Sequence, residues 1–160
     1  MMYKKITGVG SRKTPENILR KMKSISSFCT KNDIIVRTGD AKGADEAFRD
    51  GASDKINLYV YSPNNYLPYW TKAFVEYFHP NPKALNEYAY KLMQRNCLQI
   101  LGENGDNPSD LLVCYTPSGG FEGGTGQTMR ICEFYDIPIY NLYNNYNQYE
   151  LKKMLKIWRE

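Results

Sequence analysis

The sequence feature that most constrains this chain is a glycine-rich turn between an apolar run and a helix-like run. Residues 116–130 read TPSGGFEGGTGQTMR, and the apolar run Leu111–Tyr115 leads into them. The order strand, glycine-rich turn, helix and strand is typical of α/β proteins. Glycines let backbone N–H groups approach a ligand closely, and a helix start carries the positive end of the helix dipole. We therefore expect a phosphate group to bind at this turn.

Apolar segments with helix-like segments between them recur along the whole chain. Five of them predict strands, near residues 3–9, 33–37, 56–61, 111–115 and 137–142. This alternation predicts an α/β fold with an open, mainly parallel sheet and helices on both faces. We expect a single domain over residues 1–160. Residues 62–82 are rich in proline and aromatic residues and predict an irregular insertion, which is functional, part of an interface, or contains a short helix.

The composition is that of an ordinary globular chain, with 42% hydrophobic and 24% charged residues in 160. The apolar runs are far shorter than the roughly 20 residues of a membrane span, and the start of the chain lacks signal-peptide features. The 4 cysteines are far apart and lie in apolar segments, without metal-ligand spacing. We expect reduced core cysteines, a cytoplasmic protein, and no metal, cofactor or membrane partner.

Positive charge is concentrated in the first third of the chain. Residues 1–50 hold 11 Lys and Arg against 6 Asp and Glu, a balance of +5, while the whole chain carries +4. Such an excess is either a solvated face or a surface that attracts a polyanion or a phosphorylated ligand. The tract 140–149 is rich in asparagine and tyrosine, and forms either a surface loop or aromatic faces for stacking on bases.

Three loops with glycine or polar residues follow predicted strands, at residues 8–14, 38–43 and 116–126. In an open α/β sheet, ligands bind at the edge formed by the carboxyl ends of the strands, so these loops should converge on one crevice. The candidate ligand-binding residues are Gly10, Ser11, Arg12, Gly39, Asp40, Asp45, Arg95, Gly119, Gly120, Gly123, Gly124, Thr125, Gly126, Thr128 and Arg130.

The expected roles follow from the chemistry of a phosphate group. Backbone amides of 119–126 would hold the phosphate, assisted by the hydroxyl groups of Ser11, Thr125 and Thr128. Arg12 would act as a charged clamp, because charge-assisted hydrogen bonds to phosphate are strong.

Several charged residues keep two interpretations at this point. Asp45 either caps a helix start or accepts hydrogen bonds from ribose hydroxyls, and Arg95 in an apolar helix needs a carboxylate or an anionic ligand. Arg130 either contacts phosphate or forms a surface ion pair. Glu122 and Asp45 are the alternative catalytic carboxylates. His79 is the only histidine, and no Ser/His/Asp triad is in reach by spacing.

Four segments together resemble the SLOG superfamily, which unites the Lonely-Guy phosphoribohydrolases, the DprA/Smf DNA-processing proteins and related sensor domains. Residues 9–12 and 38–52 resemble the DprA-like first half, and residues 123–131 and 137–142 are similar to the second-half motif. The resemblance covers about residues 3–142. It implies a Rossmann-like, nucleotide-binding form of the predicted sheet, with about five to seven strands.

The resemblance divides the functional expectations. Lonely-Guy enzymes use a Gly-Thr-x-x-Glu segment to cleave the N-glycosidic bond of nucleoside monophosphates, and Thr128 stands at the position of that glutamate. The leading hypothesis is therefore non-catalytic binding of a phosphorylated nucleotide or a signal such as cyclic ADP-ribose. The alternatives are an N-glycosidic nucleoside-phosphate hydrolase, with Glu122 or Asp45 as its carboxylate, and a single-stranded DNA binder of the DprA type.

Two short segments are similar to small phage-encoded members of the superfamily, in which Met93-Gln94-Arg95-Asn96 and Ser109-Asp110 recur. This similarity implies a viral protein that sequesters an antiviral signal in the host cytoplasm. Small folds of this kind often complete their crevice with a neighbouring copy. We therefore expect a homo-oligomer, with contacts through residues 62–82 and an amphipathic C-terminal helix.

Overall fold

Five parallel strands form one sheet in the computed structural model, which describes residues 3–156. The strands are β1 (Lys5–Gly8), β2 (Ile35–Gly39), β3 (Leu58–Tyr61), β4 (Leu111–Cys114) and β5 (Ile139–Asn141). Their order across the sheet is β3-β2-β1-β4-β5, and every neighbouring pair is parallel. The predicted Rossmann-like α/β fold is confirmed, with a sheet that is parallel throughout.

Within the described residues, six α-helices surround the sheet: α1 (Glu16–Lys31), α2 (Ala44–Gly51), α3 (Tyr69–Phe78), α4 (Glu87–Leu101), α5 (Gly123–Phe134) and α6 (Asn145–Leu155). Two short 3-10 helices lie at Lys55–Asn57 and Pro82–Ala84. Trp158, which the sequence places on the C-terminal helix, lies outside the described residues. No helix in the part of the chain that the structure describes is long and apolar enough to cross a bilayer.

The segment 62–82 is more regular than its sequence suggests, because α3 occupies its centre. Pro68 precedes the helix, and the buried Thr71 and Val75 lie one turn apart on its inner face. Of the three alternatives for this segment, the structure therefore shows a helix. Residues 62–68 before it remain irregular.

Alternating residues of the strands build two cores, one on each face of the sheet. In β4, Leu111 and Val113 pack in the core beneath α1, α2 and α6. Leu112 and Cys114 point to the opposite core, which is shared with α3, α4 and α5. All four side chains are buried, as expected for a parallel strand covered on both faces.

Helix α4 differs from the other helices because every residue from Met93 to Leu101 is buried. It packs against both α3 and α5, so apolar residues such as Cys97 and Ile100 fill the core on one side. Polar residues of the same helix are buried near the carboxyl end of the sheet, among them Arg95 and Asn96.

The strand order creates a switch point between β1 and β4. The chain proceeds from β1 outward through β2 to β3, then returns through α3 and α4 to β4 on the other side of β1. The loops after β1 and β4 therefore diverge to opposite faces and leave a crevice at their carboxyl ends, the usual ligand site of open α/β sheets.

Candidate functional site

A crevice of about 500 Å³ opens at this switch point. Its volume is within the range of small-molecule sites, which is about 300–1,000 Å³. The loops after β1, β2 and β4 contribute to its walls together with α4. The sequence-predicted residues that line it are Gly10, Ser11, Arg12, Asp45, Arg95, Glu122, Gly123, Gly124, Thr125 and Thr128.

The start of α5 presents backbone N–H groups to this crevice. The N–H of Gly126 donates to the carbonyl of Glu122 at 2.8 Å, so the N–H groups of Gly123, Gly124 and Thr125 precede the first helical hydrogen bond. The Glu122 side chain does not cap the helix. Gly123 has φ +63°, which favours glycine at the position where the chain turns into the helix. These free amides and the helix dipole form a cradle for an anion.

The loop before α5 is held by hydrogen bonds within itself. The Ser118 hydroxyl donates to the Glu122 carboxylate, and the Gly120 N–H donates to the Ser118 oxygen at 3.2 Å. The Thr116 hydroxyl donates to the carbonyl of Gly120 at 2.8 Å. Glu122, the alternative catalytic carboxylate, is thus tied to its own loop at the border of the crevice.

Aromatic rings lie beside this loop. A Cβ on Gly119 would lie 2.7 Å from the Tyr143 ring, so Gly119 allows that ring to approach the turn. The Tyr143 and Tyr115 rings are 6.2 Å apart between centroids, and Tyr143 and Phe121 are both exposed. Gly119 and Gly120 do not line the crevice, but belong to this aromatic side of the loop.

The loop after β1 is fixed between β4 and α2. The Ser11 N–H donates to the Tyr115 carbonyl at 3.0 Å, and the Ser11 carbonyl accepts from the Ala44 N–H at 3.3 Å. The Ser11 side-chain oxygen accepts from the Lys13 N–H at 2.9 Å, which leaves its hydroxyl hydrogen available. A Cβ on Gly43, with φ +79°, would lie 2.7 Å from the Arg12 backbone. This close contact places the exposed Arg12 at the border of the crevice.

Asp45 is a buried carboxyl group that lines the crevice, with only 4% of its surface exposed. Its Oδ2 accepts from the Ala41 N–H at 3.3 Å. Burial raises the pKa of Asp45 to about 6, although the nearby charges of Arg95 and Arg49 oppose this shift. The carboxylate also lies against Gly39, where any side chain would collide with it. Gly39 therefore supports the site from behind and does not line it.

Arg95 is the other buried charge of the crevice, with 5% of its surface exposed. Its Nη1 donates to the Asp40 carboxylate at 2.9 Å and to the Tyr61 carbonyl at 3.1 Å. Its Nε donates to the Asn96 side-chain oxygen at 3.1 Å. Of the two partners expected from the sequence, the structure shows the carboxylate: Asp40 holds Arg95 at the edge of the crevice and does not itself line it.

Two further predicted residues face elsewhere. A Cβ on Gly126 would lie 2.7 Å from the Phe121 backbone, so Gly126 serves the packing of the turn. Arg130 donates from Nε to the Phe78 carbonyl at 2.9 Å and from Nη2 to Gln127 at 2.7 Å. The structure therefore does not bring these two residues into the crevice with the others.

Sequence reasoning predicted Arg95 of α4 but missed the other α4 residues in the crevice wall. Asn96 lines the crevice and donates from Nδ2 to the Gly124 carbonyl at 3.1 Å, which ties α4 to the start of α5. Gln99 and Met93 also line it. The available signal was the recurrence of polar residues at positions 95, 96 and 99 among apolar ones in a helix.

The acidic, histidine and cysteine side chains of residues 3–156 form neither a metal site nor a reactive thiol site. No group of three or more His, Cys, Asp or Glu side chains in this range could hold a metal ion. The cysteines are buried and free, and burial raises the pKa of the Cys97 and Cys114 thiols to about 12. They therefore belong to the core, since reactive cysteines are thiolates near neutral pH.

Comparison with known proteins gives a likeness of fold. No protein-family model and no curated protein matches the sequence. Among solved structures, the chain is similar to DNA processing protein A (DprA) from Helicobacter pylori, at TM-score 0.57 and 15% identity. The match covers 84% of this chain and 63% of that one, which is described as having a unique single-stranded DNA binding mode. The chain therefore has a DprA-like fold.

Proposed function

We propose that this protein binds single-stranded nucleic acid and holds a backbone phosphate of the strand in the crevice. The observation that carries this proposal is the amide cradle of Gly123, Gly124 and Thr125, which opens into the crevice. A helix N-terminus with free N–H groups favours phosphate. The similarity in fold to a protein described as binding single-stranded DNA supports nucleic acid as the source of that phosphate.

Charge and aromatic residues around the crevice support the same proposal. Arg12 borders the cradle and offers a charge-assisted contact to phosphate. Phe121 and Tyr143 are exposed beside the loop that leads into the cradle, where bases could stack on their rings. A basic groove combined with aromatic faces is the general design of proteins that bind single strands without strict sequence preference.

A second candidate function is the capture of a free phosphorylated nucleotide without turnover. The buried carboxyl group of Asp45 favours it, because it lines the crevice and can accept a hydrogen bond from a ribose hydroxyl. A nucleotide-derived signal such as cyclic ADP-ribose belongs to this candidate, and its sequestration by a phage-encoded protein stays a prediction. Thr128 donates to the Gly124 carbonyl at 3.4 Å and provides no carboxylate for N-glycosidic cleavage.

Binding to labelled oligothymidylates of increasing length separates these functions. We expect affinity to rise with length and to fall with salt concentration, because phosphate contacts release counterions. Arg12→Ser should weaken binding, while Lys13→Ser, an adjacent exposed cation outside the crevice lining, should change it less.

The competing outcomes are equally specific. If a nucleoside monophosphate or ADP-ribose binds as tightly as the longest oligomer, the protein captures free nucleotides and the nucleic-acid proposal is wrong. Release of free base from nucleoside monophosphates would instead show an N-glycosidic hydrolase, with Glu122 or Asp45 as the carboxylate to substitute next.

A further inference from the structure

We infer that the strand continues from the crevice across α4 into a second nucleotide subsite, which we call the Lys72–Lys91 depression. This depression lies between α4, α3 and the irregular residues 63–67, and its volume is about 460 Å³. The inference rests on the proposed function, because it assigns the next nucleotides of the same strand to this place. It also gives a role to the irregular part of the segment 62–82.

The two cavities lie on either side of the same two turns of α4. Lys91 and Gln94 face the depression, whereas Leu92 and Asn96 face the crevice. Lys91 and Leu92 are neighbours in the chain and line different cavities, so the two cavities adjoin along this edge of α4. A strand that leaves the crevice reaches the depression by crossing this edge.

The depression carries positive charge that is available for phosphate. Lys72 and Lys91 both line it and are exposed. Lys91 makes one exposed ion pair with Glu87 at 3.6 Å, and such pairs contribute little and exchange readily. Lys72 forms no ion pair with any acidic side chain of the described residues. Two ammonium groups around one cavity favour a polyanion over an uncharged ligand.

Aromatic faces accompany these lysines. Tyr66 lines the depression with 83% of its surface exposed, although a tyrosine ring normally gains by burial. Tyr66 also lines an adjoining cavity of about 520 Å³, and Trp70 forms part of the wall of that cavity. The Trp70 indole donates to the Glu103 carbonyl at 3.0 Å, which fixes its ring. Lysines for phosphates next to rings for bases form a single-strand track rather than a site for one small molecule.

The test uses the double variant Lys72→Ser/Lys91→Ser and two ligands. The dinucleotide pdTpdT probes the crevice, and oligothymidylates of about ten nucleotides probe the whole track. We expect the double variant to bind pdTpdT like the wild type but to bind the longer oligomer several-fold more weakly. The slope of log affinity against log salt should fall by about 1.4, since each lost phosphate contact removes about 0.7.

Matched controls separate this effect from a general loss of charge. Lys31→Ser/Lys152→Ser removes two exposed lysines outside all three cavities and should leave both ligands nearly unaffected. Tyr66→Ala should weaken binding of the longer oligomer by about fivefold or more. Tyr66→Phe should leave this binding unchanged, because stacking needs the ring and not the hydroxyl.

The outcomes distinguish this inference from the proposed function. If the Lys72/Lys91 variant and the control variant bind the longer oligomer equally, the depression is not a subsite, whatever the crevice does. A different pattern would be full oligomer affinity for Arg12→Ser together with a loss of oligomer affinity for the Lys72/Lys91 variant. In that case the depression binds nucleic acid and the crevice proposal is wrong. A Tyr66→Ala protein with unchanged oligomer affinity would remove the stacking role.

Discussion

Two buried arginines, Arg37 in β2 and Arg95 in α4, serve the molecule in different ways. They are 4% and 5% exposed, respectively. Arg37 donates from Nη1 to the carbonyls of Ile100 and Asn107 at 3.2 and 2.7 Å, and to the Ser109 hydroxyl at 3.2 Å. Arg95 instead pairs with the Asp40 carboxylate and lines the crevice.

The difference shows that burial of a charge does not by itself mark a functional site. The partners of Arg37 are protein carbonyls and a hydroxyl at the end of α4, so this network holds the returning chain in place. Burial lowers the pKa of Arg37, and nearby tyrosines and Glu103 only partly oppose that effect. The Arg95 network shares its wall with a cavity. We expect substitutions of Arg37 to change stability, and those around Arg95 to change binding more than stability.

The largest expected effect is that of Arg37→Met. It removes three hydrogen bonds from a charged donor, each worth about 1.5–3 kcal/mol, although the Ile100 carbonyl still accepts from the Ser109 N–H and the Ser109 hydroxyl still bonds to Thr7. We expect the free energy of unfolding in urea to fall by about 4 kcal/mol. Arg20→Met removes an exposed arginine of α1 and should stay within about 0.5 kcal/mol. A loss below 1 kcal/mol for Arg37→Met would show that the network is not structural.

Asp45→Asn should change how stability depends on pH. The pKa of this carboxyl rises from 3.8 to about 6 on folding because of burial. The ionised carboxylate therefore destabilises the fold by about 3 kcal/mol above pH 6, and this penalty fades as pH falls to about 4. In urea unfolding between pH 4 and pH 8, Asp45→Asn should abolish the loss of stability that the wild type shows as pH rises. The exposed control Asp50→Asn should show the same loss as the wild type. Parallel curves for wild type and Asp45→Asn would contradict the assignment.

Arg95→Met should lower the stability less than Arg37→Met does, and should lower the affinity for oligothymidylates more. Its partner Asp40 has a side chain that is 41% exposed, so water can solvate that carboxylate once the guanidinium is gone. We expect the free energy of unfolding to fall by about 2 kcal/mol, together with weaker binding of oligothymidylates in anisotropy titrations. Equal losses of stability for the two arginine variants, with unchanged binding, would erase the distinction between the two networks.

Gly124→Ala should have the smallest effect on stability and a clear effect on binding. Its Cβ would lie 3.6 Å from Asn96 and 3.7 Å from Met93, which are ordinary contacts. Within a helix, alanine stabilises by about 0.5–1 kcal/mol relative to glycine. The methyl group enters the crevice beside the amide cradle, so the affinity for oligothymidylates, measured by titration calorimetry, should fall. Gly120→Ala alters the same loop outside the crevice and should bind like the wild type; equal affinity for both variants would argue against phosphate in the crevice.

The sheet was predictable because each strand coincides with one of the apolar segments of the sequence, most clearly at Leu111–Tyr115. Helix α3 was only one of three alternatives for its segment, because aromatic residues occur all around it and prolines flank it, which hides its period. Its inner face became visible only through Thr71 and Val75.

The glycine-rich wall of the crevice was predictable from local sequence, but of the opposite wall on α4 only Arg95 was. The positions of Asn96 and Gln99 depend on how α4 packs between α3 and α5, which no local pattern encodes. The direction of Arg130 depends on a carbonyl at the end of α3, a partner 52 residues away in the sequence.

Amide NMR spectra of labelled protein, recorded during titration with a short oligothymidylate, would locate the bound phosphate residue by residue. If a phosphate binds in the cradle, the largest chemical-shift changes fall on the N–H groups of Gly123, Gly124 and Thr125, with little change around Arg37 and Asn107. Saturable binding that leaves the three cradle amides unchanged would contradict it.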